Sequence, residues 1–271
     1  MKEPFKIDNI EIGKEGLFFI LGPCVIEGEG FTLELAARLK EITHEVDVPF
    51  IFKASFDKAN RTSINSYRGP GLKEGLRILR RVKEEVGVPV LSDIHEPHQA
   101  EPMGEVLSAI QVPAFLCRQT DLLVAAGKTG LPVNVKKGQF VAPEDMYLVV
   151  EKIKSTGNSR IMLTERGTFF GYRNLVVDFR NIPIMKKSGM PVIMDVTHSV
   201  QRPSAEGGVS GGNPEFIPLI ASSGVVSGAD GIFMEVHPEP EKALSDGTNS
   251  LNINNLKPLL IRLKKLYNIN S

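Results

Sequence analysis

A chain of 271 residues with 42% hydrophobic content can bury a core the size of one large α/β barrel or of two smaller domains. Its formal net charge is zero, which excludes bulk electrostatic attachment to nucleic acid or to an anionic membrane and still permits a local basic pocket. Two cysteines, Cys24 and Cys117, cannot make a disulfide framework. No apolar run approaches the roughly 20 residues of a membrane helix, and Met1-Lys-Glu-Pro-Phe has no apolar signal core, so the expected compartment is the cytoplasm.

In chain order, Ile7, Ile10 and Ile12 lie among polar residues, with Asp8-Asn9 and Gly13 as turn formers. They predict a short hairpin in an extension over residues 1–16. Leu17 to Leu21 is a continuous apolar run, as a strand buried on both faces should be. It ends in Gly22-Pro23-Cys24. Leu35, Leu39, Ile42 and Val46 then recur at helical spacing.

A small device repeats along the chain. Gly87-Val88-Pro89, Gly130-Leu131-Pro132 and Gly189-Met190-Pro191 each separate a helical segment from an apolar one, and Asp47-Val48-Pro49 is the same device without glycine. Glycine supplies the left-handed residue that ends a helix, and proline is tolerated at the first residue of a strand. The expected strands are 17–21, 49–53, 89–93, 109–112, 132–136, 160–164, 191–195 and 231–236. Helices are expected at 72–86, 119–127, 143–155, 179–187, 214–226 and 256–266. Eight strand-helix units in this length are the count of a closed (β/α)8 TIM barrel, here one domain over 1–271. An open doubly wound sheet would want a glycine-rich nucleotide fingerprint after the first strand, and Gly22-Pro23-Cys24-Val25 is not one.

In such barrels functional groups gather past the carboxyl ends of the strands. Here the strand ends carry Cys24, Lys53, Asp93 with His95, Arg118, Lys136, Arg166, His198 and Glu235, while the opposite turns carry glycine, proline and aliphatics. Cys24, His198, Glu235 and Asp246 come from the first, seventh and eighth units, which converge on closure. Thiolate, imidazole and carboxylate together suit Zn²⁺ or Fe²⁺ and cage Mg²⁺ poorly. A buried cysteine and a satisfied loop histidine are the plain alternative, and His95, His98 and His237 are lesser candidates. Lys53, Lys58, Arg61, Arg118, Lys136 and Arg166 form a cationic set that would repel itself unless anions filled the cleft. Lys136 is also where a Schiff-base aldolase keeps its lysine. The loops Gln201 to Asn213 and Val236 to Leu251 are long enough to act as lids.

Five stretches carry a family resemblance: Phe52-Lys-Ala-Ser-Phe-Asp-Lys-Ala-Asn-Arg-Thr-Ser63, Ser66-Tyr-Arg-Gly-Pro-Gly71, Pro113-Ala-Phe-Leu-Cys-Arg-Gln-Thr-Asp121, Asn134-Val-Lys-Lys137 and Asp195-Val-Thr-His198. The chain resembles 3-deoxy-D-manno-octulosonate 8-phosphate synthases over essentially its whole length. The related 3-deoxy-D-arabino-heptulosonate 7-phosphate synthases usually show a Lys-Pro-Arg-Thr segment where this chain has Lys58-Ala-Asn-Arg-Thr, and rank second. A non-catalytic sugar-phosphate-binding barrel is the reading from another class.

The resemblance implies condensation of phosphoenolpyruvate with arabinose 5-phosphate and water, on the path to lipopolysaccharide. It implies a divalent metal, Zn or Fe(II) with Mn as a further candidate, on Cys24, His198, Glu235 and Asp246, because the family's metal-dependent members carry cysteine after the first strand. Lys136 and Arg166 would hold the phosphoenolpyruvate phosphate, helped by the backbone near Ala114 and Phe115. Lys53 and Lys58 would face its carboxylate and the pentose aldehyde, and Asn60, Arg61 and Ser63 the pentose and its phosphate. Asp93 and Arg118 complete the expected substrate-binding set, and Lys53, Lys58, Asn60 and Asp246 the expected catalytic set. The resemblance also implies a homotetramer whose pentose-phosphate site borrows residues from a neighbouring subunit.

Overall fold

The computed structural model describes residues 4–61, 63–169, 174–202 and 211–270. The chain opens with β1 (Phe5–Ile7) and β2 (Ile10–Ile12), an antiparallel hairpin turned at Asp8, whose φ is 49°. Eight parallel strands follow: β3 (Phe18–Gly22), β4 (Phe50–Lys53), β5 (Val90–Asp93), β6 (Ala109–Val112), β7 (Val133–Lys136), β8 (Ile161–Glu165), β9 (Val192–Asp195) and β10 (Gly231–His237). Each pairs with the next. β10 then closes onto β3, in register from Gly231 opposite Phe18 to Glu235 opposite Gly22. The closed barrel counted from the sequence is therefore the fold.

Around it run α1 (Glu29–Val46), α2 (Leu72–Arg81), α3 (Ala100–Gly104), α4 (Thr120–Lys128), α5 (Met146–Lys154), α6 (Asn181–Lys186), α7 (Ile217–Val226) and α8 (Leu256–Asn270). The helix-to-strand device behaves as its residues dictate. Gly87, Gly130 and Gly189 have φ of 70°, 70° and 81°, and Asp47 takes the same left-handed place with φ 56°. Two expectations change in detail. The segment expected as one helix to Val86 is α2 to Arg81 and then a wider π turn over Val82–Val86. The short α3 had no periodic signal, because Pro97, Pro102 and Gly104 break up its sequence.

Alternate strand residues face opposite ways. Phe18, Ile20, Ile51, Leu91, Ala109, Met162, Ile193 and Phe233 fill the barrel interior with Ile7, Ile10 and Ile12 of the hairpin. Phe19, Leu21, Phe52, Val90 and Ile110 pack outward against helix residues such as Leu35, Leu39, Leu79 and Leu260. The hairpin thus plugs the amino-terminal end of the barrel, which leaves the carboxyl-terminal end for polar groups.

Of the two long loops, Gln201–Arg202 pairs antiparallel with Gly211–Gly212, while 203–210 lie outside the described residues, as does Thr62. The other is folded back on the barrel. Leu251–Asn252 pairs in parallel with Val236–His237, and Ser245, Asn249 and Ser250 are buried.

Candidate active site

Ionisable side chains at the carboxyl ends of the strands are deeply buried, among them Lys53, Asp93, Lys136, Glu165, Arg166, Asp195 and Glu235, each at most 5% exposed. Charge this deep is rare unless paired, ligating or ligand-binding. A cleft of 300 Å³ opens among Lys53, Lys58, Asp93, Lys136, Arg166 and His198. Asn60, Ala114, Phe115 and His95 complete its wall. A wider hollow of 750 Å³ lies under the Val236 to Leu251 loop and takes in Arg61, Pro214, Pro240 and Asp246 but none of these lysines. The smaller cleft, lined by the buried Lys53, Asp93, Lys136 and Arg166, is the candidate site, while Asp246 of the expected catalytic set lines the wider hollow.

Cys24 follows β3 two residues after Gly22, where the backbone passes close to the end of β4. A Cβ on Gly22 would sit 1.9 Å from the Lys53 carbonyl oxygen, so only glycine lets the two strands meet there. The Cys24 Sγ lies 2.8 Å from Ser245 Oγ and donates to Asp246 Oδ2 at 3.1 Å. Ligand atoms of Cys24, Glu235 and Asp246 all lie within 4.8 Å of one another. His198 adds Nε2, 3.4 Å from Glu235 Oε1. Both Glu235 oxygens are buried without a hydrogen-bond partner among the described residues.

The Cys24 sulfur and the Asp246 carboxylate converge on the unsatisfied buried carboxylate of Glu235, and the His198 imidazole stands beside Glu235 outside that group of three; a sulfur, an imidazole and two carboxylates fit a divalent metal. Without it, burial and the charges of Asp246 and Glu235 push the Cys24 thiol well up. A bound cation reverses that sign and favours the thiolate.

The cations are positioned by the same strands. Lys53 donates to Ser55 Oγ at 2.8 Å and to the Cys24 carbonyl at 3.2 Å, and stands 3.8 Å from Glu235 and 3.9 Å from Asp93. Burial alone would lower Lys58, yet the charges of Cys24, Glu235, Asp93 and Asp246 hold it above the ordinary lysine value. Burial would raise Asp93, but Lys53, His95 and Lys58 hold it well below the usual carboxylate range. Asp246 is likewise held down, to about 2, by Lys58, His198 and Arg61 against its own burial.

Lys136 lies 2.6 Å from Asp195 Oδ2 and 4.0 Å from the centre of the Phe233 ring. Its burial lowers its pKa. Arg166 donates from Nη2 to Gln201 at 2.9 Å, while its buried Nε and Nη1 have no partner among the described residues. A dry guanidinium with free donors is a receptor for an oxyanion.

Not every expected residue joins this group. Arg61 stands 3.6 Å from Asp246 and lines the wider hollow. Ser63 and Arg118 are exposed and line neither cavity; the Arg118 carbonyl accepts from Lys152. His98 is exposed beside Glu96, and buried His237 lies 3.5 Å from Glu27, away from the cleft. His95, placed behind the metal ligands in the sequence reading, lines the cleft with Nε2 2.9 Å from Asp93.

Ser55, Glu165, Asp195 and Ser245 were missed. Asp195 and Glu165 stand at strand carboxyl ends, so the rule that selected Lys53 and Lys136 was enough to find them. Ser55 and Ser245 carry no such signal.

Three relatives match nearly end to end, and each is named 2-dehydro-3-deoxyphosphooctonate aldolase. That of Desulfatibacillum aliphaticivorans is 58% identical over 265 residues, 97% of each chain. That of Geotalea daltonii is 57% identical over 267 residues, 98% of each. That of Koribacter versatilis is 56% identical over 269 residues, 98% of this chain and 96% of the other. Residues 2–270 match the DAHP synthetase I family model. With a cation-lined cleft and a donor cluster at the mouth of a closed barrel, and with this match along its length, the chain belongs to the DAHP synthetase I family.

Proposed function

We propose that the chain condenses phosphoenolpyruvate with D-arabinose 5-phosphate and water, giving 3-deoxy-D-manno-octulosonate 8-phosphate and inorganic phosphate. One observation carries the reading. Arg166 is buried with two unpartnered donors, and it shares with Lys136 the cleft beside the Cys24–Glu235–Asp246 cluster.

Lys136 and Arg166 hold the phosphate of phosphoenolpyruvate, with the backbone at Ala114 and Phe115 beside it. Lys53 and Lys58 face its carboxylate and the incoming aldehyde. Asn60 in the cleft wall faces the pentose, and Arg61, beside Asp246 in the adjoining hollow, takes its phosphate, with Ser63 exposed further out. Two anions that repel in water are held side by side, which is proximity catalysis with electrostatic stabilisation.

Carbon 3 of the enol attacks the aldehyde carbon, and the aldehyde oxygen takes up a proton. Carbon 2 becomes electron-poor and accepts water, which gives up a proton. The carbon–oxygen bond to phosphate then breaks as the new hydroxyl at carbon 2 gives its remaining proton to the departing phosphate, leaving the ketone and inorganic phosphate. Cys24, His198, Glu235 and Asp246 would hold the divalent metal, Zn or Fe(II) before Mn. When bound, it supplies a positive centre able to polarise the aldehyde oxygen or to acidify water. Phe115 of the cleft wall is about half exposed, as are Phe140 and Phe169, and the expected homotetramer would cover such side chains. Among the described residues no helix is long and apolar enough to cross a membrane.

The test is phosphate release from phosphoenolpyruvate with each sugar phosphate, after metal analysis of the purified protein. Arabinose 5-phosphate is the expected acceptor. Preference for erythrose 4-phosphate transfers the reading to the heptulosonate reaction, and borohydride trapping of substrate on Lys136 transfers it to Schiff-base chemistry.

A further inference from the structure

We propose that Asp195 is a positioning residue shared by two subsites: one of its oxygens sets the metal-facing orientation of His198 and, by the same contact, restrains Lys136, so that metal loading releases Lys136 for phosphate. The inference rests on the reading of His198 as a metal ligand and of Lys136 as a phosphate contact.

Asp195 ends β9 and is completely buried. Its Oδ1 accepts the backbone N–H groups of Thr197 at 3.2 Å and His198 at 2.9 Å, and the Thr197 hydroxyl at 3.3 Å. Three donors on one oxygen fix the carboxylate. Oδ2 is the contested atom. Lys136 Nζ stands 2.6 Å from it and His198 Nδ1 2.9 Å, and the two nitrogens are 3.3 Å apart. Neither makes a hydrogen bond to it, so Oδ2 has two close nitrogen neighbours and no directional partner among the described residues, while Lys136 and His198 lie at hydrogen-bond distance from each other. Across the ring, His198 Nε2 faces Glu235 Oε1 at 3.4 Å. The Thr197 hydroxyl accepts the Glu235 backbone N–H at 3.1 Å, tying the same turn to β10.

A histidine that binds metal through Nε2 becomes a stronger donor at Nδ1, and a buried carboxylate there fixes the ring. Oδ2 can accept from two donors, but both draw on the same negative charge, so each weakens as the other tightens. As the Nδ1–H bond to Oδ2 tightens, the pull on the Lys136 ammonium falls, and the lysine can turn to an oxyanion. Metal and phosphate then bind with positive coupling, which is reciprocal by linkage.

The experiment compares wild type, Asp195→Asn and His198→Ala for zinc affinity, by competition with a chromophoric chelator. Inorganic phosphate affinity is measured by calorimetry with and without zinc. Asp195→Asn is expected to lose zinc affinity about 10- to 100-fold. Zinc is expected to tighten phosphate about fivefold or more in wild type and less than twofold in Asp195→Asn. Direct attraction between metal and phosphate would survive the substitution, so an undiminished zinc effect on phosphate overturns the proposal. So does Asp195→Asn zinc affinity within twofold of wild type while His198→Ala has lost zinc. If His198→Ala keeps wild-type zinc affinity, the ligand assignment itself is wrong and the proposal falls with it. Should Asp195→Asn not fold, ¹⁵N spectra of zinc-loaded wild type decide: a protonated Nδ1 with zinc on Nε2 supports the proposal, and zinc on Nδ1 overturns it.

Discussion

At the amino-terminal end of the barrel, Ile7, Ile10 and Ile12 pack on Phe18, Ile51 and Phe233 with no charged partner in the cluster. At the carboxyl-terminal end of the same strands, Lys53, Asp93, Lys136, Arg166, Asp195 and Glu235 are buried together. The first arrangement is stabilising by ordinary apolar burial. The second is not, since desolvating a charge pair offsets or exceeds its Coulombic gain. The comparison teaches that stability and chemistry are divided between the two ends. The plug and the helix layer hold the ring closed, and the open end keeps unsatisfied groups such as Glu235 and Arg166 because the rest of the fold holds them in place.

The division breaks first at Glu235. Glu235→Gln keeps the shape and removes the charge of a proposed metal ligand. Turnover in the phosphate-release assay is expected to fall on the order of 10³-fold, the value of several kcal/mol of lost charge stabilisation. Metal content after purification falls with it, and treating wild type with a chelator reproduces the loss until metal is restored. Wild-type turnover in this variant, or in demetallated protein, would mean that the cluster is structural.

The opposite end is tested by Ile12→Ala. The side chain is fully buried in the plug, so the change is expected to remove about 2–5 kcal/mol of unfolding free energy. Denaturant unfolding measures it. KM for both substrates should stay within twofold, and a larger change would show that the plug also shapes the cleft.

Gly22→Ala should refuse the division. Its new Cβ meets the Lys53 carbonyl at 1.9 Å, between β3 and β4, just before Cys24. Forcing the strands apart is expected to cost about 1–3 kcal/mol, and it shifts Cys24 and Lys53 together. Both the unfolding midpoint and kcat should drop. A change in one alone would place the strain in the strand ladder or in the site.

These two ends were unequally legible. The plug and the ring follow from local rules: isoleucine spacing at 7, 10 and 12, glycine before the strand prolines, and apolar runs of strand length. Cys24, His198 and Glu235 could be named because each stands at a strand end. Their meeting needed β10 to close on β3, which no local pattern records. Asp195 was passed over for its neighbour His198, although it stands at its own strand end. Arg118 was selected by that rule and still faces out, because the rule fixes height on the barrel and not direction.

The smallest effect is a pH dependence at Lys136. Burial holds its pKa below the ordinary lysine value of 10.5, against the pull of Asp195. On the proposed reading the ammonium is the form that binds phosphate, so raising pH through the lowered pKa removes a phosphate contact. kcat/KM for phosphoenolpyruvate, which reports the free enzyme, should therefore fall on the alkaline side with a midpoint below 10.5. Unfolding driven by this residue is not the cause. Between the lowered value and the ordinary one the unfolded chain binds more protons at this residue, so its contribution to stability rises with pH there. Lys136→Arg keeps the charge across this range and should abolish the alkaline fall, at reduced kcat. An unchanged midpoint in that variant would assign the titration to another group in the cleft, and Lys136 would be left as an ion-pair partner of Asp195 alone.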